Sequence, residues 1–221
     1  MSNYNIQYEE FSQFLLEANV EAAIQWSNQQ MDGGISPIDF FNHIFTPALT
    51  SIGDRFSRLE IFLPELMDSA ETAKAVRDRV VHSRLAASNP GHNMSRGKVV
   101  LCSVKGDLHD IGKKMVNLML QVNGFEVIDM GIDVSQRDVI KKTSEVGADI
   151  IGLSSLMTTS MPYMKETIEL RDGFGLKGKV KVIVGGAPIT PEYSQQIGAD
   201  AFGRDAVEGV QKCLELMGVA P

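Results

Sequence analysis

A histidine stands between two aspartates, after an apolar segment and before an amphipathic one. The aspartates are Asp107 and Asp110, and the histidine is His109. An imidazole that binds a metal through one nitrogen commonly donates its other N–H to a carboxylate, which fixes the tautomer and strengthens the ligand. Asp107, two residues before His109, can be that partner. We therefore predict a metal-facing histidine; the alternative is a solvated loop histidine beside an ordinary first-turn helix acid.

The neighbouring sequence places this histidine in a loop between a strand and a helix. Residues 98–104 are apolar and β-branched, as in a strand buried in a parallel sheet. Apolar side chains then recur at helical spacing from Ile111 to Val122, and Asn123 and Gly124 end the helix. Open α/β sheets bind ligands in such loops. A phosphate at the helix N-terminus is the competing interpretation, but the two aspartates would repel an anion.

Two further segments have the same strand-to-loop character. Residues 149–160 predict a strand that runs into a loop rich in serine and threonine, and residues 182–187 predict a strand that ends in paired glycines. Taken alone, the serines could cap a helix and the glycines could form a turn. In this order, and with the Asp-x-His-x-x-Gly spacing of Asp107, His109 and Gly112, the segments resemble the cobalamin-binding domains of the methionine synthase and corrinoid methyltransferase superfamily.

The resemblance implies a role for each motif. His109 would be the lower ligand of cobalt in place of the dimethylbenzimidazole base, and Asp107 and Ser160 would complete a hydrogen-bond chain to it. Ser154 and Thr158 would contact the buried nucleotide tail, and the paired glycines would let this tail pass close to the backbone. The other residues that the resemblance assigns to the cofactor site are Gly106, Leu108, Asp110, Gly112, Leu156, Gly185, Gly186 and Ala206.

Beyond residue 97, strand and helix patterns alternate five times. Such alternation predicts a five-stranded parallel sheet of the flavodoxin-like or Rossmann-like kind. With the strand order 2-1-3-4-5, the loops after the first and third strands flank the point where ligands bind, and these loops carry His109 and Ser154–Ser160. The predicted strands lie near residues 98–104, 125–130, 149–154, 179–184 and 199–203, and the predicted helices near 111–122, 136–146, 161–172, 190–197 and 205–217.

The N-terminal part of the chain predicts a small antiparallel helical bundle. Apolar spacing predicts one helix from Glu9 to Gln30, a second from Ser36 to Phe56 with a kink at Pro47, and a third over residues 64–85. A stretch rich in turn formers follows. The predicted organisation is a helical bundle over residues 1–90, a linker over residues 91–97 and an α/β domain over residues 98–221.

Residues 56–66 resemble the cap motif of the same superfamily. The resemblance implies that Phe56 and Leu63 shield the upper face of the corrin. The alternative is that both side chains simply fill the core of the bundle. At Leu59 the chain departs from the usual pattern, in which glycine commonly precedes the glutamate, so the path of the cap loop is left open.

The composition excludes several classes of protein. With 43% hydrophobic and 22% charged residues among 221, the chain predicts a soluble globular protein of two small domains. A net charge of −7 and the lack of a basic stripe argue against nucleic-acid binding. No apolar run reaches the length of a membrane span and no signal-peptide pattern is evident, so we expect no membrane association and a cytoplasmic location. Cys102 and Cys213 are expected to be buried apolar residues.

Together the motifs predict a corrinoid protein of a cobalamin-dependent methyltransferase system, a shuttle subunit rather than a self-contained enzyme. The expected cofactor is cobalamin, as methylcobalamin and in its Co(I) form. The partners implied are a substrate-specific methyltransferase, a second methyltransferase that serves the methyl acceptor, and a reductive activation protein. Methylamines, methanol, glycine betaine and methoxylated aromatics all remain open as methyl donors.

Two other functions share parts of this pattern. A cobalamin-binding sensor or regulator would have the same motif and a helical cap, but it usually carries a DNA-binding or signalling segment, for which this acidic chain leaves no obvious room. A phospho-receiver domain has the same alternation, yet it needs an aspartate at the end of the third strand and a lysine at the end of the fifth. Here those ends read Ser154-Ser155 and Gly203-Arg204, which excludes that reading on chemistry. The sensor stays as the alternative.

Overall fold

The computed structural model describes residues 4–81, 83–84 and 95–218. The chain divides into two compact units, one of Met1–Met94 with Val122–Gly124 and one of Ser95–Gln121 with Phe125–Pro221. The end of the predicted bundle at residue 90 and the first part of the predicted linker, residues 91–94, lie outside the described residues. The predicted domain bounds therefore stay a prediction, and each unit is described separately.

The first unit is helical. Among the residues that the structure describes in either unit, no helix is both long enough and apolar enough to cross a lipid bilayer. Five-residue π-helical segments follow two of the helices of the first unit, at Phe41–Phe45 and Arg77–Val81. The helices are α1 (Asn5–Leu16), α2 (Val20–Asp32), α3 (Pro37–Phe40), α4 (Thr46–Ser57) and α5 (Leu63–Val76).

The single helix predicted from Glu9 to Gln30 is wrong, because the chain forms α1 and α2 there. Between them Ala18 adopts a left-handed backbone with a φ of 53°. The Asn19 side chain then accepts the N–H of Ala22 at 3.1 Å and caps α2. Such a cap satisfies a donor that a helix start leaves without a backbone partner, so it favours a new helix over a continued one. Apolar spacing missed the break because α1 and α2 both contribute buried apolar side chains.

The start of the second predicted helix is confirmed. Ser36 accepts the N–H of Asp39 at 3.1 Å, and Pro37 is the first residue of α3. The π-helical segment after α3 lies just before Pro47, where the sequence predicted a kink. Proline lacks the N–H that would continue the α-helical ladder, and the chain meets it at the first turn of α4, where that N–H is not needed.

Aromatic side chains form the core of the helical unit. Phe11 is fully buried, and its ring centroid lies 5.6–5.8 Å from those of Trp26, Phe40 and Phe45. Aromatic pairs at this distance add to the large apolar area that each ring buries. This core joins α1 and α2 to the segment that leads into α4.

The segment between α4 and α5 lies at the surface. Leu59 has a φ of 60° and its side chain is 80% exposed. A leucine in this left-handed conformation costs about 1–2 kcal/mol, whereas glycine adopts it freely. The backbone at residue 59 is therefore the one that a glycine would take. Phe56 is half-buried and Leu63 is 38% exposed, so neither side chain belongs to the buried core of the bundle.

The second unit is a parallel sheet flanked by helices, and its strand order β2-β1-β3-β4-β5 confirms the prediction. Two predicted helices match to the residue, and the other bounds differ by at most two residues, as is usual at element ends. The strands are β1 (Lys98–Ser103), β2 (Glu126–Asp129), β3 (Ile150–Ser154), β4 (Lys181–Gly185) and β5 (Ala201–Gly203). The helices are α6 (Ile111–Val122), α7 (Gln136–Val146), α8 (Pro162–Gly173), α9 (Pro191–Ile197) and α10 (Ala206–Leu216).

The two faces of the sheet are packed differently. One face is a solid apolar core in which strand residues such as Val100, Ile151 and Val182 are completely buried with side chains of α7 and α8. Alternate residues of the same strands, including Val99 and Ile183, point to the other face, because strand side chains alternate in direction. That second face forms the floor of a cavity between α6 and α10.

Candidate functional site

The turn after β1 holds His109 against Asp107. One carboxylate oxygen of Asp107, Oδ1, accepts the backbone N–H of His109 at 2.9 Å and lies 2.8 Å from Nδ1 of its ring. The Asp107 side chain is 1% exposed, whereas that of His109 is 53% exposed. With Asp107 ionised, Nδ1 carries the proton and donates it to Oδ1. The lone pair on Nε2 is thereby left without this bond; the predicted bond from the imidazole to Asp107 is present, and the metal-facing role stays a prediction.

The other oxygen of Asp107 is bound by the loop after β3. Oδ2 accepts the backbone N–H of Leu156 at 2.5 Å and the hydroxyl of Ser160 at 3.2 Å. Burial opposes ionisation of Asp107, but the hydrogen bonds from His109, Leu156 and Ser160 outweigh it and hold the pKa of this carboxyl below its usual value. The structure therefore brings together the three side chains of the predicted chain, His109, Asp107 and Ser160.

Two serines that the sequence analysis did not single out also belong to this arrangement. Ser155 is fully buried, and its hydroxyl lies 2.7 Å from that of Ser160. Ser103, also fully buried, donates its hydroxyl to the backbone oxygen of His109 at 2.6 Å. Both residues stand at or just after the end of a central strand, and that position was the signal that could have identified them.

A cavity of about 510 Å³ opens beside His109 at the carboxyl ends of the strands. Its floor is the open face of the sheet, and its walls include Val116 and Leu120 of α6 and Gly209 and Cys213 of α10. Burial raises the pKa of the Cys213 thiol to about 12, so this wall stays neutral. The predicted site residues that line the cavity are Leu108, His109, Asp110, Gly112, Ser154, Leu156, Gly185, Gly186 and Ala206.

The remaining predicted residues occupy other positions. Asp107 and Ser160 lie behind His109 in the hydrogen-bonded chain. Gly106 lies in the turn before Asp107 with a φ of 78°. Thr158 is exposed and does not line the cavity. Phe56 and Leu63 belong to the helical unit, and their predicted role stays a prediction.

Small residues keep the cavity open at the strand ends. Ser103, Ser154, Gly185 and Gly203 are paired in register across four strands. A Cβ at Gly186, where φ is +128°, would lie 1.9 Å from the backbone oxygen of Ser155. Gly186 thus allows the loops after β3 and β4 to approach each other, which gives this glycine a structural role besides the predicted approach of a ligand.

Two other glycines border empty space. Gly112 and Gly209 both line the cavity, and a Cβ added at either would meet no heavy atom within 4 Å. Gly209 lies inside α10, where glycine costs about 1 kcal/mol relative to alanine. A side chain would fit at either position without contacting the rest of the chain, so packing does not explain the two glycines. Their effect is to widen the cavity.

One buried cation on the cavity wall is neutralised by the chain itself. Lys113 is 3% exposed and its Nζ binds the carboxylate of Asp129. Asp129 also accepts the backbone N–H of Gly131 at 2.9 Å and the side-chain amide of Asn117 at 3.3 Å. A buried ion pair of this kind needs such additional bonds to offset desolvation. Lys113 therefore adds no unpaired charge to the cavity. The part of the cavity between α6 and α10, called the slot below, is lined mainly by apolar residues such as Val116, Leu120 and Cys213.

Two family models match the chain. Both are described as a B12 binding domain, and they cover residues 97–211 and 7–80. The dimethylamine corrinoid protein of Methanosarcina barkeri is 40% identical over 189 residues, which cover 86% of this chain and 87% of that protein.

Solved structures agree with these matches. A cobalamin-binding protein from Desulfitobacterium hafniense DCB-2 is 31% identical with a TM-score of 0.71, over 96% of this chain and 98% of that one. The methanol:cobalamin methyltransferase complex MtaBC from Methanosarcina barkeri contains a chain that is 21% identical with a TM-score of 0.84, over 98% of this chain and 81% of that one. At this identity the second structure supports the fold alone.

We predict that Gly186→Ala lowers the free energy of unfolding by more than about 2 kcal/mol, because the new Cβ must displace backbone in a conformation that already disfavours it. Urea denaturation followed by circular dichroism measures the loss. The matched control is Gly178→Ala, where φ is +79° and no atom lies within 4 Å of the added Cβ. There only the conformational cost of about 1–2 kcal/mol applies. Equal losses in the two variants would contradict the close approach at Gly186.

Proposed function

This chain belongs to the family of B12-binding corrinoid proteins, and we propose from this premise that it carries methyl groups taken from a methylated amine. Its cofactor is a corrinoid, cobalamin or a close relative. The general role of a methyl carrier follows from its relatives, and the amine as methyl donor is our proposal, supported by the 40% identity to a dimethylamine corrinoid protein. The observation that carries this function is His109 at the cavity mouth, with Nδ1 bonded to Asp107 and Nε2 left for a metal.

The described residues fit such a cofactor. Among them, no group of three or more His, Cys, Asp and Glu side chains is arranged to hold a metal ion. One well-oriented imidazole suits a metal whose other ligands come from a macrocycle. Beside it, the cavity provides an apolar slot that Gly112 and Gly209 widen, as a buried nucleotide tail requires.

When bound, the corrinoid would supply a cobalt ion that accepts a methyl group and passes it on. The protein would contribute one ligand to that cobalt. Nε2 of His109 would be the protein ligand. Asp107 holds the ring of His109 in one orientation and one tautomer. The loop after β3 holds Asp107 in turn, through Leu156 and Ser160. In this hydrogen-bonded series, Asp107 therefore positions His109, and the loop after β3 positions Asp107.

The tail of the cofactor would lie on the open face of the sheet. Ser154, Gly185, Gly186 and Ala206 line the cavity where the tail enters, and the proposal keeps them as its contacts. Thr158 is exposed and does not line the cavity, and its proposed contact with the tail is supported by the motif alone. For the upper face, we propose that Phe56 and Leu63 shield the corrin. This proposal is supported by the cap motif and by the accessibility of both side chains.

The carrier needs partners that supply and remove the methyl group. We propose a substrate-specific methyltransferase and a second methyltransferase that serves the acceptor, with a reductive activation protein that restores the reduced corrinoid. The cytoplasm is the proposed location. A cobalamin-binding sensor remains the second candidate function, since it would share the cofactor site. The carrier is favoured because the matched relative is named a dimethylamine corrinoid protein and covers both units.

The amine donor is tested with protein loaded with hydroxocobalamin, reduced, and mixed with methyltransferases specific for mono-, di- or trimethylamine. We expect one amine to convert the reduced corrinoid to the methylated form, which the visible spectrum reports. Unmixed protein and a methanol-specific methyltransferase serve as controls. Methylation from methanol but from no amine would refute the donor class, and stable binding with no transfer from any donor would favour the sensor.

The ligand role of His109 is tested by His109→Ala. Because a protein ligand to cobalt is lost, we expect a visible spectrum of unligated type and methyl transfer slower by on the order of tenfold. His43→Ala is the control, since His43 lies in the helical unit with a side chain that is 55% exposed. Identical spectra for His109→Ala and the unmodified protein would remove His109 from the metal.

The slot is tested by Gly209→Val with two corrinoids, cobalamin and cobinamide, which lacks the nucleotide tail. We expect cobalamin to bind about tenfold more weakly, because methyl groups forced into a filled slot cost on the order of 1–3 kcal/mol. Binding of cobinamide should not change. Gly173→Val is the matched control, because Gly173 also lies in a helix with open space at its Cβ position but does not line the cavity. An equal effect on both corrinoids would contradict a tail slot at Gly209.

A further inference from the structure

The turn that carries Asp107 and His109 is held partly by its own hydrogen bonds, among them the two from His109 to Oδ1 of Asp107. The backbone N–H of Asp107 donates to the oxygen of Val104 at 3.0 Å. Ser103 binds the backbone oxygen of His109 from the end of β1. The backbone oxygen of Asp107 and the backbone N–H of Gly106 bond outside the turn, and the position of the turn decides where the imidazole points.

One residue of the neighbouring loop, Asp133 between β2 and α7, contacts three successive residues of this turn. Its backbone N–H donates to the backbone oxygen of Asp107 at 3.0 Å. Its carboxylate Oδ1 accepts the backbone N–H of Gly106 at 2.8 Å. The same oxygen lies 2.8 Å from Nζ of Lys105. The exposed ion pair adds little by itself, so the two backbone bonds carry most of the attachment.

The backbone of Asp133 makes this double contact possible. Its φ is 53°, a left-handed conformation that aspartate tolerates better than most residues. A residue held in a sparsely populated conformation points to a function when the surroundings impose it. Here the conformation is accompanied by bonds from both the amide and the carboxylate of Asp133 to one turn. Bonds from Lys105 and Gly106 also hold the pKa of this carboxyl below its usual value, so it remains an acceptor at neutral pH.

We infer that Asp133 is a positioning residue that fixes Asp107, and through it the imidazole of His109, for cobalt ligation. The inference rests on the proposed function of His109. Asp107 is then held at both ends, because the loop after β3 binds its carboxylate while Asp133 binds its backbone oxygen and, through the carboxylate bond to Gly106, the residue before it. Asp133 lies 26 residues after Asp107 and does not line the cavity, so it would act on His109 from outside the cofactor site.

Three substitutions at Asp133 distinguish the contribution of its backbone N–H from that of its carboxylate. Asp133→Asn keeps a side-chain acceptor and tolerance for the left-handed backbone. Asp133→Gly keeps the backbone and its N–H but removes the acceptor for Gly106. Asp133→Val disfavours the left-handed backbone and so displaces the N–H bonded to Asp107. The matched control is Asp138→Gly. Asp138 lies at the start of α7 and accepts the hydroxyl of Ser135, and it makes no bond to the turn that carries His109.

The first measurement is the equilibrium between histidine-ligated and unligated bound cobalamin, read from the visible spectrum. We expect Asp133→Gly to weaken ligation about tenfold, as loss of supporting partners does at other metal sites. Asp133→Val should weaken it further, while Asp133→Asn and Asp138→Gly stay near the unmodified protein. Unchanged ligation in Asp133→Gly overturns the inference. If circular dichroism shows Asp133→Val to be unfolded, Asp133→Gly alone decides.

The second measurement uses cofactor-free protein, so it does not depend on the corrinoid. Nitrogen-15 NMR of the imidazoles reports the fraction of His109 in the Nδ1-protonated tautomer, which the bond to Asp107 favours. We expect this fraction to fall in Asp133→Gly and to be retained in Asp133→Asn and Asp138→Gly. An unchanged fraction in Asp133→Gly overturns the inference. Should His109→Ala leave the spectrum of bound cobalamin unchanged, the proposed function fails, and the NMR result then decides separately whether Asp133 positions His109.

Discussion

The buried carboxylate of Asp107 is the interaction on which the site depends. One of its oxygens orients the imidazole of His109, and the other is bound by Leu156 and Ser160 from a different loop. A fully buried carboxylate is costly unless its acceptor positions are used, and here four donors use them. The residue thus serves two purposes at once. It favours one tautomer of His109, and it joins the loops after β1 and β3 at the point where the strand order reverses.

The parallel sheet with strand order 2-1-3-4-5 makes this junction possible. It places the ends of β1 and β3 side by side, and the row of serine and glycine residues at the strand ends leaves room above the sheet. The open space above the sheet lowers the stability of the fold. Gly209 lies inside α10 although a Cβ there would meet no heavy atom within 4 Å, and a cavity of about 510 Å³ lies between α6 and α10. Unfilled apolar space is unfavourable in a protein interior, so a ligand that fills it should also stabilise the fold.

Much of the fold could be predicted from the sequence, and the errors have physical causes. Alternating patterns located every strand and helix of the α/β unit to within two residues, because buried parallel strands and amphipathic helices have different periods. The break between α1 and α2 was missed. It depends on a left-handed Ala18 and on a cap by Asn19, and neither alters the spacing of the apolar side chains.

For the site, the sequence by itself determined the pairing of His109 with Asp107, because the two residues are close in sequence and their bond is local. It also located the two motifs that border the cavity. Only the tertiary structure decided that Leu156 completes the carboxylate, that Ser103 and Ser155 join the network, and that Asp133 holds the turn. These bonds join residues of separate loops. Their lengths depend on sheet register and loop conformation, and neither is encoded in local periodicity.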